Sequence, residues 1–341
     1  MAESADAEAS KVFTREGVWV RVPLRARCYL YEMSDWPTPP LRDNCVALFP
    51  GQGSITGGAG LAWRDSRHWN LVEQIGDAAG VDVESLLLRA TDAEVVRTDR
   101  AQLATLALSL VGYRDLLDLG IRPRYMLGHS LGEFSALVAA GLLSVEEGAR
   151  LIAVRGTAMA RAAKQHSGSM VALMGGSDTA RSALAHLDGV WLANINGPDQ
   201  LVVSGTRAGL DNLLAQHKSL GWRRATALAV GGAFHSPLMQ PAQAELDEAL
   251  TSVTWGATDV TLLANVDGGV HVTAQDWREL LSRQLTSPVQ FVTAVETLPQ
   301  SVTITVEMPP AGVLTGLTKR IRSFTSQYAP RTLVDLQELT L

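Results

Sequence analysis

Several familiar signatures are missing from this chain of 341 residues. It has only two cysteines, Cys28 and Cys45, neither in a C-x-x-C pair nor near a histidine cluster, so no motif supports metal or dithiol-redox chemistry. No apolar run approaches the roughly 20 residues that a membrane helix needs. Positive charge is in deficit, 29 Lys and Arg against 35 Asp and Glu, which argues against nonspecific nucleic-acid binding. The opening Met1-Ala2-Glu3-Ser4-Ala5-Asp6-Ala7-Glu8 is acidic and small, without the basic start and apolar middle of a signal peptide. There is no internal repeat. What remains is an ordinary globular composition, 46% apolar and 19% charged, long enough for one large domain or two smaller ones. A cytoplasmic enzyme with reduced thiols is the expectation.

The most informative stretch is Gly128-His129-Ser130-Leu131-Gly132. Before it, Pro123–Leu127 is a short apolar run, expected as a buried strand; after it, residues 133–140 are rich in helix formers. A G-x-S-x-G between strand and helix is the setting of a nucleophile elbow. Its glycines let the turn tighten, and the serine hydroxyl is thrust into the open. Ser130 is the candidate nucleophile.

Around this motif the pattern alternates. Residues 1–17 read as an unstructured leader, 18–32 as one or two strands, and 35–40 as a Pro-rich connector. The main domain then starts near residue 44 with the strand Cys45–Phe49. Helices are expected over 100–119, after Ser130, and from a capping box at Ser144-Val145-Glu146-Glu147. From Gly168 to about 230 the order becomes β-α-β-β-α-β, a ferredoxin-like arrangement. The expected fold is therefore α/β: an α/β-hydrolase-like large subdomain with a mostly parallel sheet (45–166 and 231–341), an inserted ferredoxin-like small subdomain (167–230), and an N-terminal extension (1–44). The cleft between the two subdomains is the expected substrate site.

A serine nucleophile needs a base. His235, in Gly231-Gly232-Ala233-Phe234-His235-Ser236, sits where the insertion should rejoin the main domain and could point into the cleft. Taken alone, the plainer reading is a surface-loop histidine. His129 adjoins the nucleophile, but neighbours on a tight turn point apart, so it reads as a residue packing beside the pocket. His68, His166, His186, His217 and His271 read as solvent-exposed.

Five blocks in order carry a resemblance: Phe49-Pro50-Gly51-Gln52-Gly53-Ser54, Gly128–Glu133, Arg155-Gly156, Ala233-Phe234-His235-Ser236, and Ser287-Pro288-Val289-Gln290. From about residue 45 to about 322 the chain resembles the malonyl-CoA:acyl-carrier-protein transacylases and the acyltransferase domains of polyketide synthases. The resemblance implies a ping-pong transfer. Ser130 attacks an acyl-CoA thioester with His235 as general base, and the acyl-serine then passes its group to the phosphopantetheine thiol of a carrier protein. No bound cofactor is implied; malonyl-CoA and the carrier are substrates, and the enzyme is expected to be a monomer.

The same resemblance assigns the oxyanion hole to the backbone N–H groups of Gln52 and Leu131, and the carbonyl that orients His235 to Gln290 or its neighbour. Arg155, 25 positions after Ser130, would fork onto the free malonyl carboxylate, for which a guanidinium is suited; the plainer alternative is an arginine bridging helices. Gln102 and His129 would line that pocket, and the ring of Phe234 would favour malonyl over methylmalonyl. The chain departs from the family at Glu307-Met308-Pro309-Pro310-Ala311, where two glycines are lost, and at Ile55 and Leu103. A hydrolase that passes the acyl group to water, an enzyme using a carrier-bound donor, and an idle docking module are the competing readings. The intact set of Ser130, His235 and Arg155 argues against the last. Because carrier proteins are acidic near their modified serine, Arg161, Lys164, Lys319, Arg320 and Arg322 are candidates for a basic dock, or else a plain solvated face.

Overall fold

The computed structural model describes residues 38–340, together with the backbone of Lys11–Phe13 and Trp19–Arg21. These two short strands, β1 and β2, pair antiparallel with Val12 opposite Val20. β1 thus falls inside the leader expected to lack regular structure; both strands carry β-branched and aromatic residues, which suit a pleated ribbon. Cys28 and the connector before Thr38 lie outside the described residues.

The large sheet has five strands, all parallel: β3 (Leu41–Phe49), β4 (Arg122–Gly128), β9 (Thr261–Leu263), β10 (Ile304–Glu307) and β11 (Ser326–Tyr328), ordered β11-β10-β3-β4-β9. β3 begins at Leu41, earlier than the apolar pattern suggested. Its polar start, Arg42-Asp43-Asn44, precedes a register shift between Arg42 and Val46. Beyond that shift the strand alternates strictly. Cys45, Ala47 and Phe49 enter the main core, while Val46 and Leu48 face a second cluster with Leu127, Leu263, Phe291 and Leu314. Both faces are therefore covered, which is why a parallel strand reads as a continuous apolar run. Burial pushes the Cys45 thiol up to about 12.

Three helices stand where the sequence places them: Thr98–Asp118, Leu131–Ala139 and Val145–Gln165. The last is capped by Ser144, whose Oγ accepts from the Glu147 N–H at 3.1 Å. The second sheet is antiparallel, with β5 (Gly168–Met174), β6 (Val190–Gly197), β7 (Gln200–Thr206) and β8 (Arg224–Ala227) in the order β6-β7-β5-β8. Helices Asp178–Leu184 and Arg207–Gln216 complete the ferredoxin-like unit, which closes its own core around Leu173, Val203 and Trp222. Its edge strand β6 is stitched to the large subdomain: the Ile195 N–H donates to Val289 O at 2.9 Å, and the Val289 N–H to Ala193 O at 2.8 Å.

The altered block at 307–311 is a buried turn. Glu307, with no exposed surface, accepts from the N–H groups of Leu314 (2.9 Å) and Thr315 (2.8 Å), capping the helix Val313–Ile321. Pro309 O accepts from Ser109 Oγ at 2.8 Å. Two charge-assisted bonds at a helix N-terminus contribute about 2–4 kcal/mol in total. Glu307→Ala should therefore lower the unfolding free energy by about that much, read as a lower urea midpoint at unchanged slope.

Candidate active site

Sterics at the end of β4 fix the candidate nucleophile, Ser130. A Cβ at Gly128 would lie 2.0 Å from Gly132 C, and one at Gly132 would lie 1.9 Å from Phe49 O. Only glycine fits either position, so the strand-to-helix turn closes as tightly as backbone allows. Ser130 between them takes φ 53° and ψ −107°, a conformation that non-glycine residues rarely adopt. Two backbone constraints hold it there: its N–H donates to Asn265 Oδ1 at 2.6 Å, and its carbonyl accepts from Gln284 Nε2 at 2.9 Å.

The candidate base, His235, is also at positive φ (57°), in the loop returning from the insertion. Nε2 lies 2.8 Å from Ser130 Oγ, and Nδ1 lies 2.8 Å from Gln284 O. A carbonyl can only accept, so Nδ1 carries the proton and Nε2 is left free to take the serine's. Gln284 ends the helix Ala274–Gln284, where the last carbonyls have no helical donor and the dipole is negative. That carbonyl serves where a carboxylate would stand in a triad. Gln290, expected in this role, is occupied elsewhere: its carbonyl accepts from the Ala294 N–H at 3.0 Å and its N–H donates to Asn265 O at 2.7 Å. Val289 and Gln290 are thus spent on bridging to β6 and starting the next helix, while Ser287 at the head of this block contacts His235 through its backbone.

Arg155 lies on the helix Val145–Gln165 with no exposed surface. Nη1 donates to Gln102 Oε1 (2.6 Å), and Nη2 donates to Gln284 Oε1 (2.8 Å) and to Ser130 Oγ (3.0 Å). The guanidinium also stands over the Phe134 ring, 5.4 Å from its centroid. Its Nε–H is buried without an acceptor. Nearby, Glu133 is 1% exposed and accepts from the Asn265 N–H at 2.6 Å and from Gln284 Nε2. Burial lifts its pKa to about 7, while burial of Arg155 lowers that group to about 9. Burial, and then the Arg155 charge, push His235 down to about 3, so the ring is neutral at physiological pH.

The other expected positions are mixed. Gln52 opens a short 3-10 turn whose neighbour Gly51 presses on the elbow, where a Cβ would meet His129 O at 3.0 Å; the space at Gly53 is open. Leu131 is the first residue of its helix, where backbone N–H groups lack a helical acceptor. His129 turns from the nucleophile, its Nε2 2.9 Å from Asn196 Oδ1 of the inserted sheet. Phe234 is buried in the main core.

Among the basic candidates, Arg322 is a correction. It donates to the carbonyls of Leu298, Pro299 and Val302 and stacks on Phe324, so it locks a turn rather than facing a partner. Arg161 is paired with Glu245, and Arg320 reaches Gln200 and Asp199. Lys164 and Lys319 are exposed. His68 is not exposed as expected but lies 2.6 Å from Asp118, which Arg67 also pairs. Among the described residues, His68, Asp115 and Asp118 are the one cluster with potential metal-ligand atoms within 4.8 Å of one another. It stands roughly 24 Å along the helix from Gln102.

Residues 46–336 match the family model described as acyl transferase domain. The chain belongs to this acyltransferase family. It is 36% identical over 282 residues to a malonyl CoA-acyl carrier protein transacylase of Bacillus subtilis (strain 168), covering 80% of this chain and 89% of that protein. Among solved structures it resembles the MCAT from Mycobacterium tuberculosis, with a TM-score of 0.81 and 32% identity over 88% of this chain and 99% of that one. It also resembles a malonyl-transacylase solved in complex with its type II PKS acyl-carrier protein (PlMCAT:AntF), with a TM-score of 0.82 and 31% identity over 86% and 98%.

Three residues of this acyltransferase site escaped the sequence reading: Glu133, Asn265 and Gln284. Signals for two of them existed. Glu133 is the one charged residue in a helix buried all round, and Asn265 is a polar residue just past a buried strand at the carboxyl edge of a parallel sheet, where sites gather. If the charge arrangement holds, the His235 ring resonances should keep their neutral positions as pH falls through about 6.5. Arg155→Met, which removes a cation, should move the midpoint up. An NMR pH titration reads both.

Proposed function

We propose that this acyltransferase moves a malonyl group from malonyl-CoA to the phosphopantetheine thiol of an acyl carrier protein, through an acyl ester on Ser130. The observation that carries this reading is Arg155: a buried guanidinium 3.0 Å from the nucleophile, with Nε–H lacking an acceptor. A carboxylate along the Nε–Nη2 edge satisfies that donor and holds the acyl carbonyl beside Ser130. An enzyme for uncharged acyl groups has no use for such a group.

In the first half-reaction His235 Nε2 takes the proton of Ser130 as Oγ attacks the thioester carbonyl. The N–H groups of Gln52 and Leu131 receive the oxyanion, and collapse expels the CoA thiolate, which takes the proton held by His235. In the second, His235 takes the proton of the carrier's thiol, whose sulfur attacks the ester, and the proton returns to Ser130. A carbonyl behind Nδ1, rather than a carboxylate, suits these steps because a thiolate leaves with little acid assistance. Gln102 fixes the other edge of the guanidinium, and Phe234 limits room at the α-carbon. Residues 167–230 form the wall of the cleft opposite the elbow. The pathway is fatty acid or polyketide synthesis in the cytoplasm, the enzyme acts as a monomer, and the carrier approaches over Lys164 and Lys319.

Brief exposure to malonyl-CoA should give an adduct by intact-protein mass that Ser130→Ala abolishes. In Arg155→Met the preference for malonyl-CoA over acetyl-CoA should fall by about two orders of magnitude, the worth of two charge-assisted bonds. An adduct indifferent to Arg155 would sink the carboxylate reading, and prompt release of free malonate with carrier present would favour a hydrolase. Lys319→Glu should slow transfer to carrier about tenfold and spare acylation of Ser130; equal loss in both half-reactions would remove Lys319 from the dock.

A further inference from the structure

Glu133 has no part in the steps above, yet its side chain is in hydrogen-bond contact with two residues that hold the reacting groups. Oε1 accepts from the Asn265 N–H, and Asn265 in turn grips the elbow through the Ser130 N–H and, from Nδ2, through Gly128 O at 2.7 Å. Oε2 accepts from Gln284 Nε2. Gln284 is the hub of the site, since its backbone carbonyl accepts from His235, its Oε1 accepts from Arg155 and its Nε2 also donates to Ser130 O. An amide side chain can be turned end for end at almost no intrinsic cost, so something must decide which end faces Arg155. A guanidinium can only donate, and Glu133, each of whose oxygens faces an N–H here, accepts. Standing on either side of the amide, they fix its direction.

We infer that Glu133 is a positioning residue that sets the orientation of the Gln284 amide and thereby the aim of Arg155 at the substrate carboxylate. This rests on the reading of Arg155 as the carboxylate clamp.

The consequence of Glu133→Gln follows from donor counting. The introduced amide keeps one acceptor. The Asn265 backbone N–H cannot be reversed and claims it, so the new NH2 meets Gln284 Nε2, donor against donor. Gln284 escapes this clash only by shifting away or by turning over, and turning over trades it for a second one. Its Oε1 then leaves Arg155, its Nε2 faces Nη2, and Ser130 O loses its donor. The backbone carbonyl of Gln284 still holds His235, so the dyad survives while the clamp loses its aim. Acylation by malonyl-CoA therefore falls much further than acylation by a donor without a carboxylate.

The test is a double-mutant cycle on the full-length protein, comparing wild type, Glu133→Gln, Gln284→Met and the pair. Single-turnover acylation of Ser130 is followed by intact mass with malonyl-CoA and with acetyl-CoA, and melting temperatures are recorded. The expected result is a malonyl-to-acetyl rate ratio about 100-fold lower in Glu133→Gln, the cost of a misplaced group of this kind. In the Gln284→Met background, which has no amide to turn, Glu133→Gln should change that ratio less than about threefold. Equal losses for both donors, or the same loss in both backgrounds, would overturn the proposal and leave Glu133 a structural carboxylate. Should Glu133→Gln fail to fold, Gln284→Met alone decides: a fallen malonyl-to-acetyl ratio supports the coupling, an unchanged ratio refutes it. A wild type that takes no malonyl group would overturn the clamp and this proposal together, whereas a malonylated wild type with an additive cycle overturns this proposal alone.

Discussion

A positive charge sealed from water underlies the whole site. Burying a guanidinium is costly unless its donors and its charge are answered. The surroundings of Arg155 are that answer: two amide acceptors from Gln102 and Gln284, the face of Phe134, and the Glu133 carboxylate a few atoms away. Burial first, and then this same charge, keep His235 neutral and therefore able to accept a proton. The Arg155 guanidinium and the His235 ring are thus one electrostatic system. Ser130 alone among these groups is left half open, where a substrate can reach it.

The inserted subdomain completes this arrangement by topology. β5 enters it and β8 leaves it, and the two are antiparallel neighbours, Val171 opposite Ala227. The chain therefore returns beside the place it left. Arg155, before the insertion, and His235, after it, meet at one serine although 80 positions separate them. The stitching of β6 to Val289 closes the circuit just beyond Gln284, so the helix end that orients His235 is tied to the small sheet as well as to the large one.

What could be read from the sequence, and what could not, divides along physical lines. The elbow was legible because glycine at two positions is a steric demand that leaves a mark in the letters. The helices were legible from their spacing, and the ferredoxin-like order from its alternation. Gln284 was not, because its decisive atom is a main-chain carbonyl that every residue possesses, so nothing in the letters separates it from Gln290. Arg322 looked like a free surface charge because its three acceptors are also backbone carbonyls. The start of β3 was hidden by Arg42-Asp43-Asn44, polar residues on a strand end that reaches solvent, where Asp43 pairs with Arg124. His68 was misread because its partner, Asp118, is 50 positions away.

The placement of Cys45 bears on the enzyme's own chemistry. A protein that passes acyl groups between sulfur atoms works among thioesters and free thiols, any of which could exchange with a reactive thiol on its own surface. Only a thiolate takes part in such exchange. Cys45 is sealed in the middle of β3 with its proton held far above neutrality, so it stands outside that traffic. Oxygen at Ser130 can then be the acyl carrier without a competing sulfur in the core.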